Sequence, residues 1–217
     1  MINLCFHGIG EPGRELEPGE AKYWVSTTLF KQVLDLVQDN PEVAISFDDG
    51  NASDHDQALP ALTERGLDAA FFVLAGRLDQ TGSLSREQVM ALQDAGMSIG
   101  SHGMNHVSWR GLTEAGQSAE FVRARDLLSQ VCGVPVTWAA LPLGQYDRAV
   151  LRRLRANGYQ RVYSSDRSAA RMGAWFQPRY SIRADDTVTL LRREVLQPAS
   201  ALGRAQAAAR QLVKRLR

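Results

Sequence analysis

The sequence predicts an α/β fold: one domain of 217 residues built on a mostly parallel sheet, as a barrel or a doubly wound sheet. Two observations predict it. Short apolar runs alternate with amphipathic helical stretches about seven times along the chain. No repeat or low-complexity linker divides residues 1–217, although the stretch from about 200 to 217 reads as a basic C-terminal helix. The 44% hydrophobic content is ordinary for a soluble chain and supplies a core of useful size.

The elements follow in order. INLCF (2–6) is the first strand. Ser26 caps a helix running to about Val37, with Leu29, Val33 and Val37 on one face. VAISF (43–47) is the second strand, and Asp54 or Asp56 caps a helix that stops at Gly66. AAFFVL (69–74) follows; Ser85 and Gln88 then form a capping box, and Gly96 ends that helix. MSIG (97–100) precedes a long helix from Thr113 to about Val131. VTWAA (136–140) leads to a helix from Asp147 to Gly158, and RVYSS (161–165) and PRYSI (178–182) complete the strands.

Composition excludes several classes. A net charge of +1 gives no reason to expect a nucleic-acid partner. Cys5 and Cys132 sit in apolar surroundings and read as buried free thiols. No stretch is long and apolar enough for a membrane span. MINLCFHGIG has neither a basic n-region nor an h-region, so a cytoplasmic protein is expected. Sequence gives no expectation for oligomeric state.

Both architectures place active groups just past the C-terminal ends of strands. His7 follows the first strand, Asp48 and Asp49 the second, and His102 the fourth. His102 and His106, in SHGMNH, are four residues apart; on a helix or helical turn they would face the same way. Two histidines and a carboxylate with room for water suit catalytic zinc, and the same set suits ferrous iron. Neighbouring residues at a strand end point in different directions, so one aspartate can ligate while the other faces a bound water. Such a water has its pKa lowered towards ~7, and a carboxylate can take its proton.

SFDDG, SHGMNH and ALPLGQYD together resemble three motifs of the polysaccharide deacetylases, the NodB-homology group of carbohydrate esterase family 4. The resemblance implies a distorted barrel of seven βα units and a metal-dependent hydrolase that removes N-acetyl groups from a sugar or polysaccharide. It implies Asp48 as general base, and Asp49, His102 and His106 as ligands of Zn2+, or of Co2+, Ni2+ or Fe2+ in its place. It implies that Leu143 offers a backbone N–H to the oxyanion, with Pro142, Gly144 and Tyr146 lining the groove. Three departures accompany it. Ala140 stands where many members place an arginine that pairs with the base. No histidine follows His106, so His7 is the acid by resemblance to the branch acting on exopolysaccharides such as poly-N-acetylglucosamine. Members of that branch are usually exported, and this chain shows no export signal. Asp166 and Arg179, after late strands, are candidates for a pair that replaces the missing arginine and steadies Asp48; an ordinary salt bridge is the plain alternative.

Other features read as structural. GMSIG (96–100) matches a serine-hydrolase elbow, but Ser98 falls inside a strand and no late histidine exists. His55 reads as solvated at a helix start. Trp109, Trp138 and Trp175 serve either as sugar platforms or as core. GRAQAAARQLVKRLR carries five basic residues and no acid, with Arg210, Lys214 and Arg217 on one face. That face suits peripheral contact with anionic lipid or polymer, but a solvated outer helix is the favoured reading. Hydrolysis of a non-sugar amide or an O-acetyl ester, or glycan binding without catalysis, are the alternatives to sugar N-deacetylation.

Overall fold

The computed structural model describes residues 1–197, 206, 209 and 211–214. Its strands are β1 (Ile2–Phe6), β2 (Gly8–Ile9), β3 (Trp24–Val25), β4 (Val43–Asp49), β5 (Ala69–Val73), β6 (Ser98–Ser101), β7 (Trp138–Ala140), β8 (Arg161–Ser164), β9 (Phe176–Pro178) and β10 (Tyr180–Ser181). Eight of them form one parallel sheet in the order β10-β1-β4-β5-β6-β7-β8-β9. β9 and β10 are one extended stretch interrupted at Arg179. Its first half pairs with β8 and its second with β1. The stretch therefore closes the sheet into a barrel of seven strand positions, which decides for the barrel over the doubly wound sheet.

The helical caps form as the side chains dictate. Ser26 accepts from the Leu29 N–H at 3.1 Å and opens α1 (Thr27–Val37). Leu29, Val33 and Val37 are buried, and Phe30 and Leu34 widen the same stripe. A wide-turn segment, Asp54–Ala58, runs into α2 (Leu59–Glu64). α3 (Arg86–Asp94) carries the Ser85–Gln88 capping box. Thr113 caps α4 (Glu114–Gln117), which continues through Ser118–Arg123 into α5 (Ala124–Cys132). Asp147 accepts from the Val150 N–H at 2.8 Å at the start of α6 (Arg148–Ala156). A further short helix, α7 (Val188–Leu190), was not expected from sequence.

The strand pleat sorts side chains between two compartments. On β4, Ile45 and Phe47 enter the main core between sheet and helices, where Phe47 stacks on Phe71 with centroids 4.6 Å apart. Burial of a side chain of this size contributes about 1.5–3 kcal/mol. Ser46 and Asp48, of the opposite parity, face the barrel interior and meet Arg179. Phe72 and Tyr163 fill the rest of that interior with Ala70 and Ala140. Gly8, on β2, must be glycine: a Cβ there would lie 2.2 Å from the Trp24 ring of β3.

Two sequence expectations change. Asp54 is not a cap: the helix continues upstream of it, and its carboxylate is buried with no hydrogen-bond partner on either oxygen. Lys214, though partly exposed, is not free in solvent. Its Nζ reaches Asp166 Oδ1 at 2.6 Å and the Gly144 carbonyl at 3.1 Å. Arg210 and Arg217, the rest of that expected basic face, lie outside the described residues. Among the tryptophans, Trp109 is core and Trp175 donates to the Tyr159 carbonyl at 2.7 Å. Cys5 and Cys132 are buried and free. Among the described residues, no helix is long and apolar enough to cross a membrane.

Candidate active site

The site forms where β1, β4 and β6 end. Asp48 and Asp49 are the last two residues of β4 and are both almost fully buried. Asp48 keeps the strand parity and points into the barrel. Asp49 has φ of +77°, a left-handed conformation that aspartate tolerates better than most residues. That turn of the backbone swings the second carboxylate away from the first. Two adjacent acids thereby reach different partners.

Asp49 reaches the histidines. Its Oδ1 lies 3.4 Å from His102 Nε2 and 3.4 Å from His106 Nε2, and has no hydrogen-bond partner of its own. His102 Nδ1–H donates to the Ala140 carbonyl at 3.0 Å, which fixes the tautomer and leaves Nε2 bare towards Asp49. Burial pushes the His102 imidazole down to about 4, against the Asp48 and Asp49 charges that raise it, so it is neutral at neutral pH. His106 Nδ1–H donates to Glu17 Oε2 at 2.6 Å, which bares its Nε2 in the same way.

These observations fit a divalent cation. Two ligand atoms about 2.1 Å from a shared zinc at a tetrahedral angle are about 3.4 Å apart. A buried carboxylate oxygen and two bare imidazole nitrogens, all acceptors, otherwise face one another with nothing to donate. The donor set of one carboxylate and two imidazoles suits zinc, and also ferrous iron.

His102 and His106 do not share a helix. They lie on an irregular loop after β6, with His106 at φ +52°. Glu120, buried in the wide segment before α5, dictates the loop's shape. It accepts from the Met104 N–H at 2.7 Å, the Asn105 amide at 3.1 Å and the Trp109 indole at 3.3 Å.

Asp48 reaches Arg179. Both guanidinium nitrogens donate to the two carboxylate oxygens at 2.6 Å, and neither residue is exposed to solvent. Arg179 also donates to Ser46 Oγ at 3.2 Å and lies over the Phe72 ring at 5.2 Å. Burial by itself would raise the Asp48 carboxyl. The Arg179 charge, then His102, outweigh it and hold Asp48 well below the usual carboxylate range. Asp166 is not part of this pair. It accepts from Tyr146 at 2.7 Å, Ser164 at 2.8 Å and Lys214.

His7 closes the other side. A ring nitrogen of His7, an Asp48 oxygen and Cys5 Sγ lie within 4.8 Å of one another. The His7 ring stacks on Tyr23 at 4.8 Å, and its buried Nδ1 has no partner. On the third motif, Leu143 has φ of +57° and is half exposed at the rim. Leu143 and Gly144 line the cavity above the acids, about 220 Å³; Pro142 and Tyr146 are buried behind that rim and do not line it. None of Trp109, Trp138 and Trp175 lines it. A cavity of about 230 Å³ at the opposite mouth of the barrel, beside Trp138 and Tyr163, contains none of the candidate catalytic groups.

Sequence reasoning missed Glu17, Arg77 and Glu120. Glu17 and Arg77 do sit on loops at the C-terminal mouth of the barrel, so the rule that placed His7 there pointed to them as well.

The sequence pattern that defines the polysaccharide deacetylases matches residues 36–162, more than half of the chain. The chain belongs to the polysaccharide deacetylase family. It is similar at 29% identity to YxkH, a polysaccharide-deacetylase-like protein of Bacillus subtilis, over 59% of this chain and 46% of that one. It is similar at 30% identity to SCO4760 of Streptomyces coelicolor, over 66% of this chain and 53% of that one. The chain thus spans about half the length of the curated relatives it matches. Its fold is like that of the Streptococcus pyogenes deacetylase PplD, solved with acetate (TM-score 0.76, 22% identity, 91% of this chain and 98% of that one). It is also like that of IcaB from Ammonifex degensii (TM-score 0.72, 21% identity, 90% and 95%). His7, Glu17, Asp166 and Arg179 lie outside the residues that the family pattern matches.

Proposed function

We propose that this member is a metal-dependent hydrolase that removes N-acetyl groups from an N-acetylated sugar or polysaccharide. The observation that carries the proposal is the division of labour between the adjacent acids. Asp48 is held ionised by Arg179, while Asp49 presents a buried, unpartnered oxygen 3.4 Å from two bare imidazole nitrogens.

Asp49, His102 and His106 are the residues that would hold the ion, with zinc as the first choice and Co2+, Ni2+ or Fe2+ as substitutes. When bound, the ion supplies a Lewis acid for the acyl oxygen and raises the acidity of the attacking water, which a carboxylate as ionised as Asp48 needs, being a weak base. Asp48 accepts the proton of that water as oxygen attacks the acetyl carbon. The Leu143 N–H donates to the oxygen on which negative charge develops. Gly144 shapes the same rim, with Pro142 and Tyr146 supporting it from behind. His7, across the cavity from the third motif, donates a proton to the sugar nitrogen as the C–N bond breaks. Arg179 takes the place of the arginine that is absent where Ala140 stands, and Asp166 steadies Tyr146 beneath the rim. Ala140 and His7 favour the exopolysaccharide branch of the family.

Asp48→Asn tests the proposal. It keeps the ligand set and an acceptor for Arg179, so the variant is expected to bind one zinc and to lose about 10²–10⁴ in turnover. Substantial residual activity would remove Asp48 as the base.

A further inference from the structure

The loop between β2 and β3 has no role in the reaction as described, yet three of its charged residues, Arg14, Glu17 and Glu20, form one connected network. Arg14 donates to Asn51 Oδ1 at 2.9 and 3.1 Å, two residues beyond Asp49. The same guanidinium grips Glu20, a buried carboxylate, which in turn accepts the Glu17 N–H at 2.8 Å. Glu17 pairs with Arg77 through one oxygen and accepts from His106 Nδ1–H at 2.6 Å through the other. The network thus runs from Asn51, just past the strand-end acids, across the loop, to a histidine on the far side of the site.

We propose that Glu17 is a positioning residue for His106: it locks the imidazole with Nε2 towards Asp49, so that metal retention and closure of the 10–23 loop depend on each other. The inference rests on the metal reading above. Three features separate this bond from an ordinary surface pair. Only Nδ1 of His106 is engaged, so the bond selects the ring face that points at Asp49. The Glu17 backbone is itself fixed by Glu20, so the carboxylate is delivered by a built loop. His106 sits at φ +52°, where its own backbone gives it little support. A carboxylate on the outer nitrogen of a metal-ligating histidine orients the ring and raises its basicity, and its loss typically costs 10–100-fold in metal affinity. By reciprocity, a metal that favours the oriented ring must favour the closed loop by the same factor.

The test is zinc affinity of the whole protein by competition with a chromophoric chelator, for wild type, Glu17→Ala, Glu17→Gln and Glu15→Ala. Glu15 is an exposed acid of the same loop and controls for net charge. Tryptic cleavage after Arg14 and Lys22, with and without zinc, reads loop closure in the same samples. The expected result is affinity weakened about 10–100-fold in Glu17→Ala, less in Glu17→Gln, which keeps an acceptor, and unchanged in Glu15→Ala. Zinc protects the loop in wild type and not in Glu17→Ala. Affinity in Glu17→Ala within about twofold of wild type, or an equal loss in Glu15→Ala, would overturn the proposal. Tight zinc binding by wild type with no effect at Glu17 defeats this inference alone; no zinc binding by wild type defeats the metal reading and this inference with it.

Discussion

Replacing Arg179 by methionine isolates the interaction that holds Asp48 ionised. The variant keeps an unbranched side chain of similar length between Phe72 and Tyr163 and removes the charge. It deletes two charge-assisted hydrogen bonds of 2.6 Å from a carboxylate that has no solvent to replace them. Each such bond is worth about 1.5–3 kcal/mol, and stranding one partner of a buried pair costs about 3–5 kcal/mol. For a chain of this size, that lowers Tm by about 6–20 °C. The sign with pH follows from the depressed Asp48 carboxyl. In wild type, its ionisation adds stability above the unfolded value of about 3.9, and that contribution disappears only as pH falls through the lower folded value. Without Arg179, burial, already the largest single influence, loses its main opponent and raises the carboxyl. Arg179→Met therefore loses most stability at neutral and alkaline pH, and the acid limb of kcat/KM moves up. Thermal unfolding by circular dichroism from pH 5 to 8 reads the first effect, and a pH–rate profile the second. Adding Asp48→Asn to Arg179→Met removes the stranded charge, so the double variant should be more stable than Arg179→Met alone at pH 8. A Tm within about 2 °C of wild type, with an unmoved acid limb, would refute this account of the pair.

His7→Ala should fold and bind zinc but turn over about 10²–10⁴ more slowly; unchanged rates would return His7 to a packing role against Tyr23. Gly103→Ala places a Cβ 2.3 Å from Glu120 Oε2 at a φ of +88°, so it should cost about 1–3 kcal/mol and weaken zinc binding, measured by unfolding and chelator competition. Asp54→Asn removes a carboxyl that burial, then Asp49 and Asp48, push well above its usual range. Such a group keeps its proton in the fold after the unfolded chain has lost it, so it destabilises increasingly as pH rises above the unfolded value. Asp54→Asn should therefore gain stability relative to wild type between pH 5 and 8 in metal-free protein, and a pH-independent difference would contradict this.

Much of the fold was legible because local rules act over a few residues. Ser26, Ser85, Thr113 and Asp147 each accept the N–H that their spacing predicts. The strand-end placement of His7, Asp48, Asp49 and His102 followed from the alternation of apolar runs. The remainder depends on contacts across long separations. Arg179 meets Asp48 across 131 residues; its place after a late strand offered it, paired with Asp166, as a support for Asp48, but no local pattern marks the direct bond or the break between β9 and β10. The His102–His106 spacing suggested helical geometry, but Glu120 shapes the segment as a loop through bonds to three different groups. Asp54 looked like a cap because aspartate favours helix starts. The helix begins upstream of it and packs it beneath Asp48 and Asp49, an outcome that depends on how the whole β4–α2 connection folds. Glu17 belonged to a Gly- and Pro-rich segment, GEPGRELEPGE, whose composition suggests only a solvated loop.

The most direct test of the central claim is acetate release from N-acetylglucosamine oligomers by protein loaded with one equivalent of zinc, with a chelated control and Asp48→Asn alongside. The expected result is release that the chelator abolishes, that added zinc restores, and that Asp48→Asn lacks. Release that persists in the chelated protein, or none from protein shown to hold its metal, would contradict it.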